Sequence, residues 1–187
     1  STGNRSYTAH WAVIAYTVSY DLAGGSASGN PSSYTVESAA FTLKNPTRTG
    51  YTFAGWSGTG LSGSANKSVT VPKGSTGNRS YTAHWAVIAY TVTWKANGGN
   101  WSGSTADKTT RVTYGSATTA PVSPARTGYT FKGWSTTSSG SVTALPSSTT
   151  KAATYYAVWA LNSYTMTWNP NGGNWSGSTA SKTTTVS

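Results

Sequence analysis

The chain has 187 residues, a net charge of +10 and no cysteine, and charged residues make up 9% of it. Without cysteine, a disulfide framework and a thiolate metal site are both excluded. The thirteen Lys and Arg residues are scattered, so the positive charge reflects scarce acids, and no nucleic-acid partner is expected. No apolar run reaches the roughly 20 residues of a membrane-spanning helix, so no transmembrane segment is expected.

An internal repeat with a period of 74 organises the sequence. The segment STGNRSYTAHWAVIAYTV occupies positions 1–18 and returns unchanged at positions 75–92. A fixed period of this size identifies a tandem array of small units. We divide the chain into the final strand of a preceding repeat (1–14), repeat unit A (15–89), repeat unit B (90–163) and the first strands of a following repeat (164–187).

Aromatic residues supply the apolar surface of each unit. The chain carries nine Trp, twelve Tyr and three Phe, which recur at the same places in each repeat. A unit of this size is near the lower limit for burying a core of its own, and large rings bury much area per residue. We therefore expect aromatic cores supported by contacts between neighbouring units.

Alternation of apolar and polar residues predicts that the units consist of strands. The first strand places Tyr16, Val18 and Tyr20 on one face, and a Gly-Gly turn follows at 24–25. Its counterpart in unit B is expected at 90–94. The later strands are predicted at 33–36, 51–56, 69–71 and 81–85 in unit A, and at 109–114, 129–134, 142–145 and 155–159 in unit B.

The middle of the unit and the unit boundary are less regular. Segment 37–44 fits either one helical turn or a strand, whereas two prolines in 115–124 argue against a helix in unit B. Across the boundary the apolar residues change parity, which moves side chains to the opposite face of a strand. Each unit is therefore expected to have its own core. The connector lacks Gly and Pro, which predicts a semi-rigid rod.

Three motifs recur in the same order in both units. An opening Tyr-Thr-Val strand precedes RTGYTFAGW at 48–56, which returns as RTGYTFKGW at 126–134, and each unit closes on a Tyr-x-Ala-x-Trp strand. This pattern resembles the Listeria–Bacteroides repeat, the type that includes the B-repeat of internalin B. The resemblance implies mainly β, β-grasp-like modules with little helix. It also implies tandem modules of secreted or wall-attached bacterial surface proteins.

No set of catalytic or metal-binding residues repeats. The chain has three acidic residues in all, and His84 of unit A is replaced by Val158 in unit B. Paired carboxylates, a metal site or a catalytic triad would need groups that both units do not supply. We therefore expect neither enzyme activity nor a cofactor or bound metal.

Two tryptophans are the candidate surface contacts. Trp101 and Trp175 each follow a turn in GGNWSG, where an exposed ring can stack on a sugar or on a neighbouring chain. The alternative is that each ring caps the core of its own unit. The aromatic residues of the repeat motifs are instead predicted to form the cores, and they are Tyr51, Phe53, Trp56, Trp85, Tyr129, Phe131, Trp134 and Trp159.

These features favour a structural extracellular protein that forms a rod, stalk or filament on a bacterial surface. The alternative function is an adhesin that binds glycans or anionic cell-wall polymers through exposed Trp and Lys/Arg. Copies of itself, or adjacent repeats in a longer chain, are the expected partners. A lone last strand at 1–14 needs pairing to be ordered. Either the chain is a window of a longer protein, or neighbouring chains complete one another by strand addition.

Overall fold

The computed structural model describes residues 2–187, and within that range it contains strands, turns and irregular segments but no helix. The mainly β class predicted from the alternation is therefore confirmed. Segment 37–44 takes the strand alternative, since Phe41 and Thr42 form a short strand. The chain divides into two units, Ser1–Ile88 and Ala89–Ser187.

The first unit is built around a mixed four-stranded sheet. The unit has six strands, which are β1 (Ala15–Asp21), β2 (Ser33–Thr35), β3 (Phe41–Thr42), β4 (Tyr51–Gly58), β5 (Thr70–Val71) and β6 (Arg79–Val87). The sheet order is β2-β1-β6-β4, and β3 pairs with β5 separately. The central pair β1–β6 is parallel, whereas the outer pairs are antiparallel. The first and last strands therefore lie side by side, as in a β-grasp-like sheet.

The second unit repeats this arrangement. Its sheet has the order β8-β7-β10-β9, with β7 (Ala89–Lys95), β8 (Lys108–Thr113), β9 (Tyr129–Ser135) and β10 (Ala153–Leu161). Strands β7 and β10 are again the parallel central pair. A separate antiparallel hairpin follows, consisting of β11 (Tyr164–Trp168) and β12 (Lys182–Val186).

The strand predicted at 142–145 does not form, and that prediction is wrong. Segment 142–145 lies beside β9 instead, and the segment hydrogen-bonded to residues 146–149 is 116–118, on the N-terminal side of Pro121 and Pro124. Single hydrogen bonds replace the ladder, such as those from Thr143 N to Trp134 O at 2.8 Å and from Thr118 N to Pro146 O at 3.0 Å.

A bulge in β4 lets two aromatic residues of the repeat motif, Phe53 and Trp56, face the core. Phe53 pairs with Trp85, and Gly55 pairs with His84, the residue before Trp85 in the chain. The strand β4 therefore has one extra residue between these two pairs. Residues of opposite parity, Phe53 and Trp56, can therefore face the same side of the sheet. Gly55 has a φ of 148°, and a Cβ there would lie 2.5 Å from the backbone of Ala65. Only glycine fits this bulge.

Each unit has its own aromatic core, as the parity change at the boundary predicted. In the first unit Phe53 packs edge-on against Trp56 and Trp85 with ring centroids 5.4 and 5.6 Å apart. In the second unit the Trp94 ring lies 4.8 Å from that of Trp134 and 5.1 Å from that of Tyr155. Such edge-to-face and offset arrangements add to the stabilisation from area burial.

Residues 2–14 do not form the strand that was predicted for them, and residue 1 lies outside the described residues. Their sequence is the same as that of 76–88, which contains β6. Tyr81 in β6 is 2% exposed, whereas the identical Tyr7 is 85% exposed and Trp11 is 94% exposed. Strand formation by this sequence thus depends on the neighbouring strands that cover it rather than on local preference.

In the second unit, β7 is followed by a two-residue turn, and the residue after that turn must be glycine. Asn97 and Gly98 both have positive φ, at 49° and 88°, and Gly99 N donates to Ala96 O at 3.0 Å. A Cβ on Gly99 would lie 2.5 Å from Cζ2 of Trp159. Gly99 therefore lets the tryptophan ring pack directly against the backbone.

Replacing Gly99 by Ala is expected to destabilise the second unit by about 1–3 kcal/mol, because the added methyl group overpacks the Trp159 site. The matched control is Gly3→Ala, since no atom lies within 4 Å of a Cβ at that position. Urea unfolding monitored by tryptophan fluorescence measures both variants. Equal stability of Gly99→Ala and the parent chain would contradict the packing.

Candidate functional site

Trp101 is not a surface residue, and the expectation that it is a partner contact is wrong. Its side chain is 7% exposed and belongs to the core of the second unit. The indole Nε1 donates to Val122 O at 3.0 Å, and Nζ of Lys108 lies 5.3 Å from the ring centroid. A buried tryptophan normally finds such an acceptor for its N–H group. Trp101 therefore caps the core of its own unit, which was the alternative.

The residues around Trp101 form a tight turn that holds the ring in place. Ser102 and Gly103 both have positive φ, and Trp101 and Ser104 form an antiparallel bridge across them. Asn100 Oδ1 accepts a hydrogen bond from Gly103 N at 2.8 Å, which fixes the start of the turn.

Trp175 occupies the same turn in the terminal hairpin but in a different environment. The bridge to Ser178, the bond from Gly177 N to Asn174 Oδ1 and the lysine over the ring, Lys182, are all repeated. The turn is therefore specified locally by its sequence. The Trp175 ring is half-buried, and its Nε1 is buried without a hydrogen-bond partner. It remains a candidate contact.

Six of the eight predicted motif aromatics belong to the two cores. Trp56 and Trp134 are buried, and the partly buried rings packed against these cores are Phe53, Trp85, Phe131 and Trp159. Tyr51 and Tyr129 differ, because they are half-buried and lie outside both core clusters. Their assignment to the core is corrected.

Tyr51 and Tyr129 instead stack under an arginine in each unit. The Arg48 guanidinium lies 3.8 Å above the Tyr51 ring centroid, and Arg126 lies at the same distance from that of Tyr129. Arg48 Nη1 also donates to Ala23 O at 2.9 Å, which ties the arginine loop to the equivalent two-residue turn of the first unit, formed by Ala23 and Gly24. The repeated Arg-Thr-Gly-Tyr sequence is the signal that could have revealed this stack.

An open cleft borders each of these arginine–tyrosine pairs, but the two clefts differ. The first, about 500 Å³, is lined by Phe53 and Trp85 as well. The second is about 270 Å³, and a loop narrows it where Asn97 Nδ2 donates to Ser138 O at 2.8 Å. Both clefts include the arginine, the tyrosine and a tryptophan (Trp85 or Trp159), but the rest of their lining differs, so the two units do not present the same binding site. The cation–π stack is best explained as a clamp on the turn.

The polar residues do not form a repeated catalytic set. Ser57 Oγ lies 2.6 Å from Nε2 of His84, but the second unit has Ser135 and Val158 at these positions. Among residues 2–187 no group of three or more His, Cys, Asp or Glu side chains is placed to hold a metal ion. The same range contains no helix that is long and apolar enough to cross a membrane.

The phenol of Tyr20 in the first unit has a raised pKa. Burial, and then the neighbouring Tyr81, raise the pKa of Tyr20 to about 12. Its hydroxyl donates to Pro31 O at 2.9 Å. The neutral phenol is thus favoured in the folded state. Because the pKa of Tyr20 is higher in the folded state, Tyr20 contributes to the free energy of unfolding. This contribution is complete below about pH 10, the pKa of the unfolded chain, and is lost as the pH rises towards about 12.

Alkaline titration is expected to show this loss of stability between about pH 10 and pH 12. The Tyr20→Phe variant should lose less stability over that interval than the parent chain, because it has no phenol to ionise there. Tyr7→Phe is the control, since Tyr7 lies outside both cores. Thermal unfolding at a series of pH values measures the difference. Identical profiles for parent and Tyr20→Phe would contradict the assignment.

Substitution of the two turn tryptophans separates a core role from a surface role. Trp101→Ala is expected to destabilise its unit by about 3–5 kcal/mol, because it removes a buried ring. Trp175→Ala should change stability by less than about 1 kcal/mol, since that ring is only half-buried. Chemical unfolding of the two variants provides the comparison. Similar losses in both would count against the burial difference.

Comparison with known proteins identifies two relatives in one bacterium. The chain is 30% identical over 173 residues to a protein of Evansella cellulosilytica named "Putative membrane protein", covering 89% of this chain and 24% of that protein. It is 28% identical over 179 residues to a "Putative Gly-rich membrane protein" of the same organism, covering 89% of this chain and 18% of that protein. The chain thus spans a quarter or less of these relatives.

The family comparison identifies both units. The family model of the Listeria-Bacteroides repeat domain matches residues 16–78 and residues 90–158. The first segment extends from β1 to the residue before β6, and the second extends from β7 into β10. Together they cover well over half of the chain. The resemblance expected from the repeated motifs is confirmed, and the chain belongs to the Listeria-Bacteroides repeat domain family.

Proposed function

We propose that the chain is a structural, extracellular tandem-repeat segment of a bacterial surface protein, whose units act as spacers in a rod, stalk or filament. The observation that carries the proposal is the direction of the first and last strands in each unit. Strands β1 and β6 are parallel neighbours, so a unit begins at one end of its sheet and finishes at the other. The same holds for β7 and β10.

Parallel terminal strands suit a unit that is pulled through its ends. Four residue pairs join β1 to β6, from Val18 opposite Arg79 to Asp21 opposite Thr82. A force applied through the chain acts along both strands in opposite directions. All hydrogen bonds between them must then break together, whereas a force across the strands breaks them one after another. The sheet thus resists extension along the direction of the chain.

The aromatic core supports the same role. Tyr20 and Tyr81 stack across the parallel pair with ring centroids 6.2 Å apart, and both contact Trp56. Sliding of one strand past the other would separate these rings and expose them to water. The core thereby opposes the same displacement as the hydrogen bonds.

The surface location is proposed from the family and the relatives. Both relatives carry the word membrane in their names, and the Listeria–Bacteroides resemblance implies secreted or wall-attached proteins. The absence of a repeated acid–base set favours a non-enzymatic role that needs no cofactor. The adhesin alternative, glycan or anionic wall-polymer binding, is weakened by the burial of Trp101, which leaves Trp175 and scattered Lys and Arg residues as its contacts.

Single-molecule force spectroscopy tests the mechanical proposal, because the chain has no cysteine and attachment points can be chosen freely. Pulling the first unit through Ala15→Cys and Val87→Cys loads β1 and β6 along their length. Pulling through Ala15→Cys and Thr76→Cys applies the force at one end of the same pair. The first geometry is expected to need a clearly higher unfolding force.

Equal unfolding forces in the two geometries would overturn the spacer role without affecting the family assignment. Location is tested separately with antibodies against the units, applied to intact bacteria that produce the full-length protein. Labelling of intact cells is expected. Labelling that appears only after the cells are opened would overturn the surface location.

A further inference from the structure

The first unit has a cleft whose lining combines a cation with aromatic rings. The cleft has a volume of about 500 Å³ and contains Arg48 together with the half-buried side chains of Tyr51, Phe53 and Trp85. Gly25 forms part of its wall, and a Cβ at this position would lie 2.4 Å from Cζ2 of Trp85. The indole ring of Trp85 therefore reaches the cleft directly beside the backbone of the turn.

Arg48 is held in place but keeps most of its hydrogen-bonding capacity. Its guanidinium lies 3.8 Å above the ring centroid of Tyr51, and its Nη1 donates to Ala23 O. Among residues 2–187 this is the one hydrogen bond that the Arg48 side chain makes, although a guanidinium has five N–H donors. A fixed arginine with free donors suits a carboxylate, because it can pair with both oxygens and loses little conformational freedom.

A second cation lies next to this cleft. Ser26 and Thr47 exchange two backbone hydrogen bonds of 2.9 Å, and they line both the Arg48 cleft and a neighbouring cleft of about 380 Å³. The neighbouring cleft contains Lys44, whose hydrogen bonds to Asn30 use only its backbone atoms. No acidic residue of the described chain lines either cleft. Two cations therefore follow one another along this surface without a neutralising charge in the lining.

The second unit keeps the arginine but lacks the other features. Counted back from the Arg-Thr-Gly-Tyr sequence of each unit, Val122 stands where the first unit has Lys44. The Arg126 cleft has a volume of about 270 Å³, and the hydrogen bond from Asn97 Nδ2 to Ser138 O narrows it. A ligand that needs both cations and the wider cleft is therefore matched by the first unit and not by the second.

We propose that the two neighbouring clefts of the first unit bind an acidic saccharide, a chain of pyranose rings that carry carboxylates. Arg48 pairs with the carboxylate of one ring, and Lys44 pairs with that of a following ring. The apolar face of a sugar packs on the aromatic lining beside Trp85, because clefts of this kind combine ring contacts with a few polar groups that fix orientation. The proposal goes beyond the spacer role and does not rest on it.

The lining favours a saccharide over a nucleic acid. Two cations in adjoining clefts can neutralise two charges, whereas nucleic-acid binding draws its affinity from many phosphate contacts. Binding of the saccharide should still weaken as salt is added, because its charged contacts lie in open clefts.

Titration of the isotope-labelled chain with tetragalacturonate, followed by NMR, tests the site. The indole N–H signal of Trp85 is expected to shift until the site is saturated, whereas that of Trp159, its counterpart in the second unit, should stay unchanged. Fully methyl-esterified tetragalacturonate has the same rings without the charge, and a short poly(glycerol phosphate) has charge without the rings. Both are expected to bind about tenfold more weakly or less.

Substitutions identify the cations. Arg48→Ala is expected to lower the affinity for tetragalacturonate about tenfold or more, because it removes charged hydrogen bonds. The matched control is Arg126→Ala, which removes the same arginine–tyrosine stack from the second unit and should leave the affinity unchanged. Arg48→Lys keeps the charge but loses the paired donors, so it should also bind more weakly.

Lys44→Ala provides a variant that leaves the Arg48 clamp intact. It is expected to weaken tetragalacturonate binding several-fold without changing thermal unfolding, because the Lys44 ammonium group makes no hydrogen bond among residues 2–187. A loss of affinity in this variant is therefore not caused by misfolding of the first unit.

Four results would overturn the proposal. The first is a Trp85 signal that does not move at any concentration of tetragalacturonate. The second is equal binding of the methyl ester or of poly(glycerol phosphate). The third is an equal loss of affinity in Arg48→Ala and Arg126→Ala, and the fourth is full affinity in Lys44→Ala.

Discussion

The parallel pairing between the first and last strands of a unit is the interaction on which the rest of the structure depends. Strands β1 and β6 meet in the centre of the sheet although they stand at opposite ends of the unit's sequence. Everything in between is folded back onto this pair. The antiparallel neighbours extend the sheet on either side, and the aromatic rings cover one face. Among residues 2–187, β11 pairs with β12 alone, and its core positions are exposed to solvent.

The aromatic cores need several glycine positions where no side chain fits. Gly55 permits the bulge that turns Trp56 inward, and Gly99 lets the Trp159 ring approach the backbone. A small unit buries little area in total, so each large ring matters and must be reached without overpacking. The Arg48–Tyr51 stack then joins the turn to the motif loop at the rim of this core. The repeat motif is thus explained by packing rather than by chemistry.

Much of this fold could be predicted from the sequence, because period-two alternation and repetition reported the large strands and their shared faces. The shortest segments were harder to locate. The prediction at 142–145 failed because single hydrogen bonds, such as that from Thr143 N to Trp134 O, hold this segment in place of a ladder. The bulge at Gly55 also escaped, since it breaks the alternation on which strand prediction relies. Burial of Trp101 depended on the distant Val122 as the acceptor of its N–H group. Such long-range partners are invisible to local patterns.

The distance along the chain between paired strands also determines when a unit can fold during synthesis. Hairpins such as β7–β8 join strands that follow one another directly in the chain, and they can form as soon as both strands emerge. The central parallel pair cannot form until the last strand has been synthesised. Until then, the aromatic face of the sheet is exposed to solvent. In an array of related units, the last strand of one unit could also pair with the first strand of another. Completion of each unit before the next one emerges would therefore prevent pairing between the wrong repeats.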